Sequence, residues 1–206
     1  MLLDILFPVN CYACHRPDFY LCPRCQQKLT HLAFNPFPPP PLAGLLSLFR
    51  YHHPLRANLT ALKYNFVSHQ VPELAHLASA HLKFTFPHLL SFWQDNNFSI
   101  LPIPLHPRRW RWRGFNQSSL LAQNIAKSLH LSFSPDLLIR TRSLLPQVKL
   151  PPAQRIKNPV NSFRLLSPPP PNLILFDDVY TTGATIHSAA LAFPKNCQIY
   201  ALTLAG

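Results

Sequence analysis

Apolar residues recur along this chain with two different rhythms. The helical one, with like residues three and four positions apart, runs through residues 55–64, 71–83 and 116–130; in the last, Leu120, Leu121, Ile125 and Leu129 share one side. The second of these opens with Pro72 and Glu73, residue types that a first helical turn favours. Short apolar runs without that period predict strands at 98–105, 137–140, 161–165, 173–176 and 198–204. Residues 186–193 are apolar enough to pack as a further helix. Strands alternating with helices predict an α/β fold, a mainly parallel sheet flanked by helices on both faces. There is no internal repeat.

Proline marks the joints, with 24 in the chain, roughly twice the usual frequency. The run Pro36-Phe37-Pro38-Pro39-Pro40-Pro41 predicts a stiff spacer. The chain then divides into a cysteine-bearing segment at 1–35, a proline-rich linker at 36–44, a helical connecting region at 45–97 and the main α/β domain at 98–206. Between Thr141 and Asn158 periodicity fades and cations gather, which fits either a closing lid or an ordinary surface excursion. Residues 1–7 are too short an apolar segment for a signal peptide and carry Asp4 where a basic region would stand. No run approaches the ~18 apolar residues of a membrane span. We therefore expect a cytoplasmic protein without membrane insertion, in a compartment where clustered cysteines hold metal more often than they form disulfides.

Two constellations carry chemistry. Cys11-x-x-Cys14 and Cys22-x-x-Cys25 offer four thiolates from two knuckles, a spacing that suits a closed tetrahedral site. Structural zinc is the expected occupant, and an iron–sulfur cluster is the chemical alternative. Cys197 stands alone and is expected in the core. The second constellation follows the apolar run 173–176, where Asp177 and Asp178 lead into Thr181, Thr182, Gly183, Ala184 and Thr185. In parallel sheets ligands sit at the carboxyl ends of strands. A hydroxyl-rich turn at the head of a helix offers amides to an anion, and glycine lets the backbone approach closely. The pattern is that of a cradle for a phosphorylated pentose. Its rivals are two solvated acids before a capped helix, and the strand-plus-aspartate of a nucleotide hydrolase. With only Gly44, Gly114, Gly183 and Gly206 in the chain, neither glycine-rich phosphate loop can be written, which removes the hydrolase.

Charge adds a further signal. Nineteen Lys and Arg against seven Asp and Glu give a net +12, so a polyanionic partner is expected. Arg108 to Phe115 interleaves Arg108, Arg109, Arg111 and Arg113 with Trp110 and Trp112, the ingredients of single-strand attraction and base stacking. Alternatively, the indoles pack on the sheet while the arginines meet pyrophosphate or water.

The stretch 173–185 resembles the signature of type I phosphoribosyltransferases, which bind 5-phosphoribosyl 1-pyrophosphate (PRPP). Leu101 to Arg109 with Arg113 to Ser118, the block Arg140, Gln147, Arg155, Asn158 and Phe163, and the element Leu62-Lys63-Tyr64 resemble the ComF family of phosphoribosyltransferase-like proteins. With the cysteine module these segments span nearly the whole chain. The family's usual glycine after the first knuckle is His15 here. The resemblance implies a type I phosphoribosyltransferase-like domain at 98–206, a helical hood at 45–97 and an N-terminal zinc ribbon built on the four cysteines. It implies Asp177 and Asp178 on the ribose hydroxyls, Thr181 to Thr185 on the 5-phosphate, and Leu105, His106, Arg108 and Arg109 in a pyrophosphate loop. Gln147, Lys149 and Arg155 would belong to a flexible loop that covers the substrate. Mg²⁺ would arrive with PRPP, held largely by the ligand's own oxygens. Through the family the chain is also expected to act in DNA uptake, with Arg109 to Arg113 on single-stranded DNA and a competence helicase or other DNA-processing protein as partner. Two functions stand open: a binding protein for PRPP and single strands, or an active Mg²⁺-dependent phosphoribosyltransferase releasing pyrophosphate onto an unidentified acceptor.

Overall fold

The computed structural model describes residues 9–141 and 162–206. In chain order its elements are α1 (Pro23–Gln26), β1 (Gly44–Phe49), α2 (Leu55–Tyr64), a 3₁₀ turn (Ser68–Gln70), α3 (Val71–Thr85), α4 (Pro87–Asp95), β2 (Ser99–Pro102), α5 (Pro107–Arg113), α6 (Gln117–Leu129), β3 (Ser132–Phe133), β4 (Leu138–Arg140), β5 (Phe163–Leu165), β6 (Asn172–Val179), α7 (Ala184–Ala190) and β7 (Gln198–Ala205). Five strands form a parallel sheet in the order β1-β7-β6-β2-β3. Helices cover both faces, the α/β architecture that the resemblance implies. Side-chain alternation along β6 builds both cores at once: Ile174 and Phe176 join the cluster with Leu74, Leu121 and Ile125, while Leu173 and Leu175 join the one with Ile186 and Ala189. No helix among the described residues is long and apolar enough to cross a membrane.

The predicted helices are present at 55–64, 71–85 and 117–129. The last is bounded as its sequence requires: the Asn116 side chain accepts from the Ser118 amide at 3.1 Å, and His130 ends it in the left-handed conformation. Four features differ from the sequence expectation. Residues 44–49, assigned to the last linker position and the start of the helical region, form β1 and pair with β7 at the sheet edge. β4 and β5 are strands, but they make a separate antiparallel ribbon, with Leu138 opposite Leu165. β6 continues to Val179 because β7 is equally long and pairs with it as far as Ala205. The proline run is a reversal, not a spacer: Asn35 and His31 bridge antiparallel to Leu45 and Phe49 of β1. Asn35 Oδ1 accepts from the Phe37 amide at 2.9 Å, and His187 Nε2 lies 2.6 Å from the Pro40 carbonyl, so the turn is pinned from both sides.

The cysteine segment packs on the main body. Cys11, Leu21, Cys22 and Cys25 belong to the same apolar cluster as Leu74 and Leu82 of α3. Glu73, in the first turn of α3, accepts from the amides of Leu21 at 2.7 Å and Tyr20 at 3.1 Å. Those two charge-assisted bonds clamp the segment to the helix.

Candidate ribose-phosphate site and metal centre

β6 lies between β7 and β2, and its carboxyl end delivers the two acids. Neighbouring residues of a strand point to opposite sides, and these two part company. Asp178 turns inward and is 3% exposed. Its Oδ1 accepts from Gln117 Nε2 at 3.2 Å, and its Oδ2 meets the Lys63 ammonium at 2.5 Å. Asp177 is half-buried; its Oδ1 accepts from the Ser118 hydroxyl at 2.8 Å and from the Asp178 amide at 2.9 Å. Burial first, and the Asp178 charge next, push the Asp177 carboxyl up to about 7, against the pull of those two donors. The resemblance sets both acids on the ligand; of the two, only Asp177 borders the pocket formed with Thr181, Thr182, Gly183, Ala184 and Thr185.

That pocket has a volume of about 30 Å³, where one water needs roughly 10–15 Å³. An anion of phosphate size is the scale it suits. Gly183 precedes α7 at φ +73°, and a Cβ there would fall 2.2 Å from the Tyr180 hydroxyl, so both backbone and packing demand glycine. The first-turn amides of α7 have no intrahelical acceptors and border the pocket. Ala184 N reaches only the Thr182 hydroxyl, at 3.4 Å.

The basic segment is helical, which the sequence pattern does not foretell. His106 Nδ1 caps α5 by accepting from Arg108 N at 3.2 Å, Pro107 is its first residue, and Gly114 at φ +76° stops it. Leu105 and His106 form the connection from β2. Arg108, Arg109, Trp110, Arg111 and Trp112 are exposed, so the indoles do not pack on the sheet. Arg113 is buried instead: its Nη1 donates to Gln117 Oε1, the residue that holds Asp178. Beside α5 opens a cleft of about 540 Å³ whose walls include Pro104, Leu105, Trp110, Arg111 and Arg140. Gln147, Lys149, Arg155 and Asn158 lie outside the described residues; at the border of that segment Thr141 N donates to Ser162 O at 2.9 Å.

Lys63, Gln117 and Ser118 were visible in sequence only as parts of motifs, with no role. The signal for Lys63 is its place four residues after buried Leu59, which sets a cation on the packed face of α2.

The four sulfurs of Cys11, Cys14, Cys22 and Cys25 lie within 4.8 Å of one another. A tetrahedral zinc site with bonds of about 2.3 Å needs sulfurs roughly 3.8 Å apart, so this cluster can hold such an ion. Burial would raise the Cys11 thiol, but the backbone amides of Cys22, Ala13 and Cys14 outweigh it and bring it down to about 7. His15 stands at φ +62°, left-handed, which explains the glycine usual there. Cys197 is separate and half-buried.

No family model matches the chain. It is 31% identical over 199 aligned positions to DNA utilization protein YhgH of Escherichia coli O157:H7, covering 90% of this chain and 83% of that one. It is 36% identical over 98 residues to competence protein ComFC of Bacillus subtilis, covering 48% and 39% of the two chains. A third relative is competence protein F of Haemophilus influenzae, 33% identical over 102 residues, 47% of this chain and 44% of that one. With similarity running through nearly its whole length, this chain belongs to the ComF family.

Proposed function

We propose that the protein binds a 5-phosphorylated ribose, PRPP first among them, at the end of β6, and single-stranded DNA on α5. It serves DNA uptake or utilization, the activity in its relatives' names, and works in the cytoplasm beside a DNA-processing partner. The observation that carries the reading is one pocket with a carboxylate, Asp177, on one wall and the Thr181–Thr185 turn on the other. In this reading the turn's amides and hydroxyls take the 5-phosphate, and Asp177 accepts from a ribose hydroxyl. Arg108 and Arg109 face the pyrophosphate, and Gln147, Lys149 and Arg155 close over it. Mg²⁺ comes with the ligand and screens the pyrophosphate charge. Zinc in the four cysteines is structural, because four thiolates leave no position for substrate.

The alternative, pentosyl transfer with release of pyrophosphate, needs negative charge beside a sugar ring that becomes positive. Asp178, the second acid expected there, is already neutralised by Lys63. That ion pair favours binding over transfer. Calorimetric titration with PRPP and Mg²⁺ tests the pocket: wild type binds and Asp177→Asn does not, and equal affinity in the two overturns the assignment. Pyrophosphate release, followed with and without single-stranded DNA, decides between the readings, since sustained release establishes an enzyme.

A further inference from the structure

Three aromatic rings stand in the open beside the ribose site, and core packing does not account for them. Tyr64 ends α2, Phe66 follows two residues later, and Trp112 lies on α5; they are 57%, 43% and 56% exposed. Their ring centroids lie 5.2 Å apart for Phe66 and Trp112 and 6.0 Å for Tyr64 and Trp112, with tilted planes. Phe66 holds its place at φ +58°, left-handed backbone that a bulky side chain adopts only at a cost of about 1–2 kcal/mol. Its partial burial, worth roughly 1–2 kcal/mol, no more than offsets that cost, because 43% of the residue remains in water.

Beneath the rings lies a cation. The Arg113 guanidinium sits 5.9 Å from the Tyr64 ring centre and 5.8 Å from that of Trp112. The same group donates to Gln117, which in turn donates to Asp178. The platform is therefore tied from below to Asp178, the buried neighbour of the pocket's Asp177, and Lys63, next to Tyr64 in α2, reaches the same carboxylate. Along α5 beside Trp112, Arg108, Arg109 and Arg111 are all exposed. Stacking faces flanked by a row of guanidinium groups match a ligand with a π-face every few ångströms and a phosphate between each pair.

We propose that Tyr64, Phe66 and Trp112 form a stacking platform for an unpaired base of single-stranded DNA, held next to the ribose-phosphate site. The neighbouring phosphates run along the α5 arginines. This rests on the single-strand reading above and names where in the molecule the base goes. Trp110 belongs to the adjoining cleft and not to the platform.

The test compares a short oligo-dT strand with an abasic strand of equal length, which keeps the phosphates and removes the bases. In a Trp110→Phe background the exposed indole left among the described residues is Trp112, since Trp93 is fully buried. Oligo-dT quenches its fluorescence and the abasic strand does not. Phe66→Gly, Tyr64→Ala and, with Trp110 restored, Trp112→Ala each weaken oligo-dT binding roughly five- to a hundredfold, with abasic binding unchanged. Phe66→Gly is the folding control, because glycine accepts the left-handed backbone and the protein melts no lower than wild type. Oligo-dT affinity unmoved by these substitutions overturns the platform and leaves the strand reading standing. Equal loss for both strands also overturns it, since the rings then act on the fold and not on a base. Failure of wild type to bind either strand removes both.

Discussion

At the level of single residues, the pair Asp177-Asp178 shows what a sequence tells and what it hides. The two acids were legible as the carboxyl end of a strand, but the different surroundings of their side chains were not, because those depend on where the strand ends. With the strand stopping at residue 176, both carboxylates are free to face one pocket; with β6 running to Val179, alternation separates them. Asp178→Asn therefore acts on stability before it acts on ligand. It leaves the Lys63 ammonium, whose side chain is 20% exposed, without its partner, and the expected loss is about 1–3 kcal/mol. Adding Lys63→Met restores most of it, and a double-mutant cycle by urea unfolding measures the coupling; additive losses would show that the pair contributes nothing. His15 offers the opposite case. Its left-handed backbone makes His15→Gly stabilising, by roughly 0.5–1 kcal/mol in the metal-loaded protein, read as a rise in melting temperature.

Among the elements, those with a helical rhythm were legible and those set by distant partners were not. α2, α3 and α6 follow from apolar spacing and, for α3 and α6, from first-turn Pro72 and Glu73 and the Asn116 cap, all signals that lie within a dozen residues. β1 does not, because a six-residue run buried almost throughout has no alternation to distinguish it from a helix turn, and its partner β7 is at the far end of the chain. β4 and β5 were recognised as strands, yet nothing local says which sheet a strand joins. The same limit applies to the cysteine segment, whose docking rests on Glu73 and on apolar contacts to α3. That docking has a thermodynamic signature. Metal removal by a chelator, or Cys22→Ser, lowers the stability of the entire chain in one cooperative transition, since the cysteines share its core. Glu73→Gln costs about 1–2 kcal/mol by weakening two amide bonds, while metal content stays unchanged. An early, separate unfolding step in calorimetry would show instead that the segment is independent of the rest.

Over the whole molecule, two shifted groups among the described residues, buried His81 and half-buried Asp177, bear on the response to acid, and they oppose each other. His81 packs against His31 and Phe49, and burial first, with the His31 charge next, lowers it from 6.5 to about 4. From pH 6.5 downward the unfolded chain takes up this proton and the folded chain does not, so His81 removes stability as pH falls toward 4. Asp177 runs the other way. With its carboxyl at about 7 in the folded state against 3.8 unfolded, the folded chain takes up the proton first, and stability rises as pH falls from 7 toward 4. Each effect is on the order of a few kcal/mol, so between pH 4.5 and 7 these two contributions largely cancel. Single variants expose the two slopes. Asp177→Asn leaves His81 alone and loses stability on acidification, whereas His81→Leu leaves Asp177 alone and gains it. Urea midpoints at both ends of the window read this directly, and metal release, common to all three proteins, drops out of the comparison. The proposed ligand site carries a further sign: an ionised carboxylate accepts from a ribose hydroxyl more strongly than the protonated acid does, so ribose 5-phosphate is expected to bind more tightly as pH rises through 7. Two variants that track the wild-type midpoints at every pH would mean that neither group titrates as its surroundings dictate, and with that the electrostatic account of the pocket would fail.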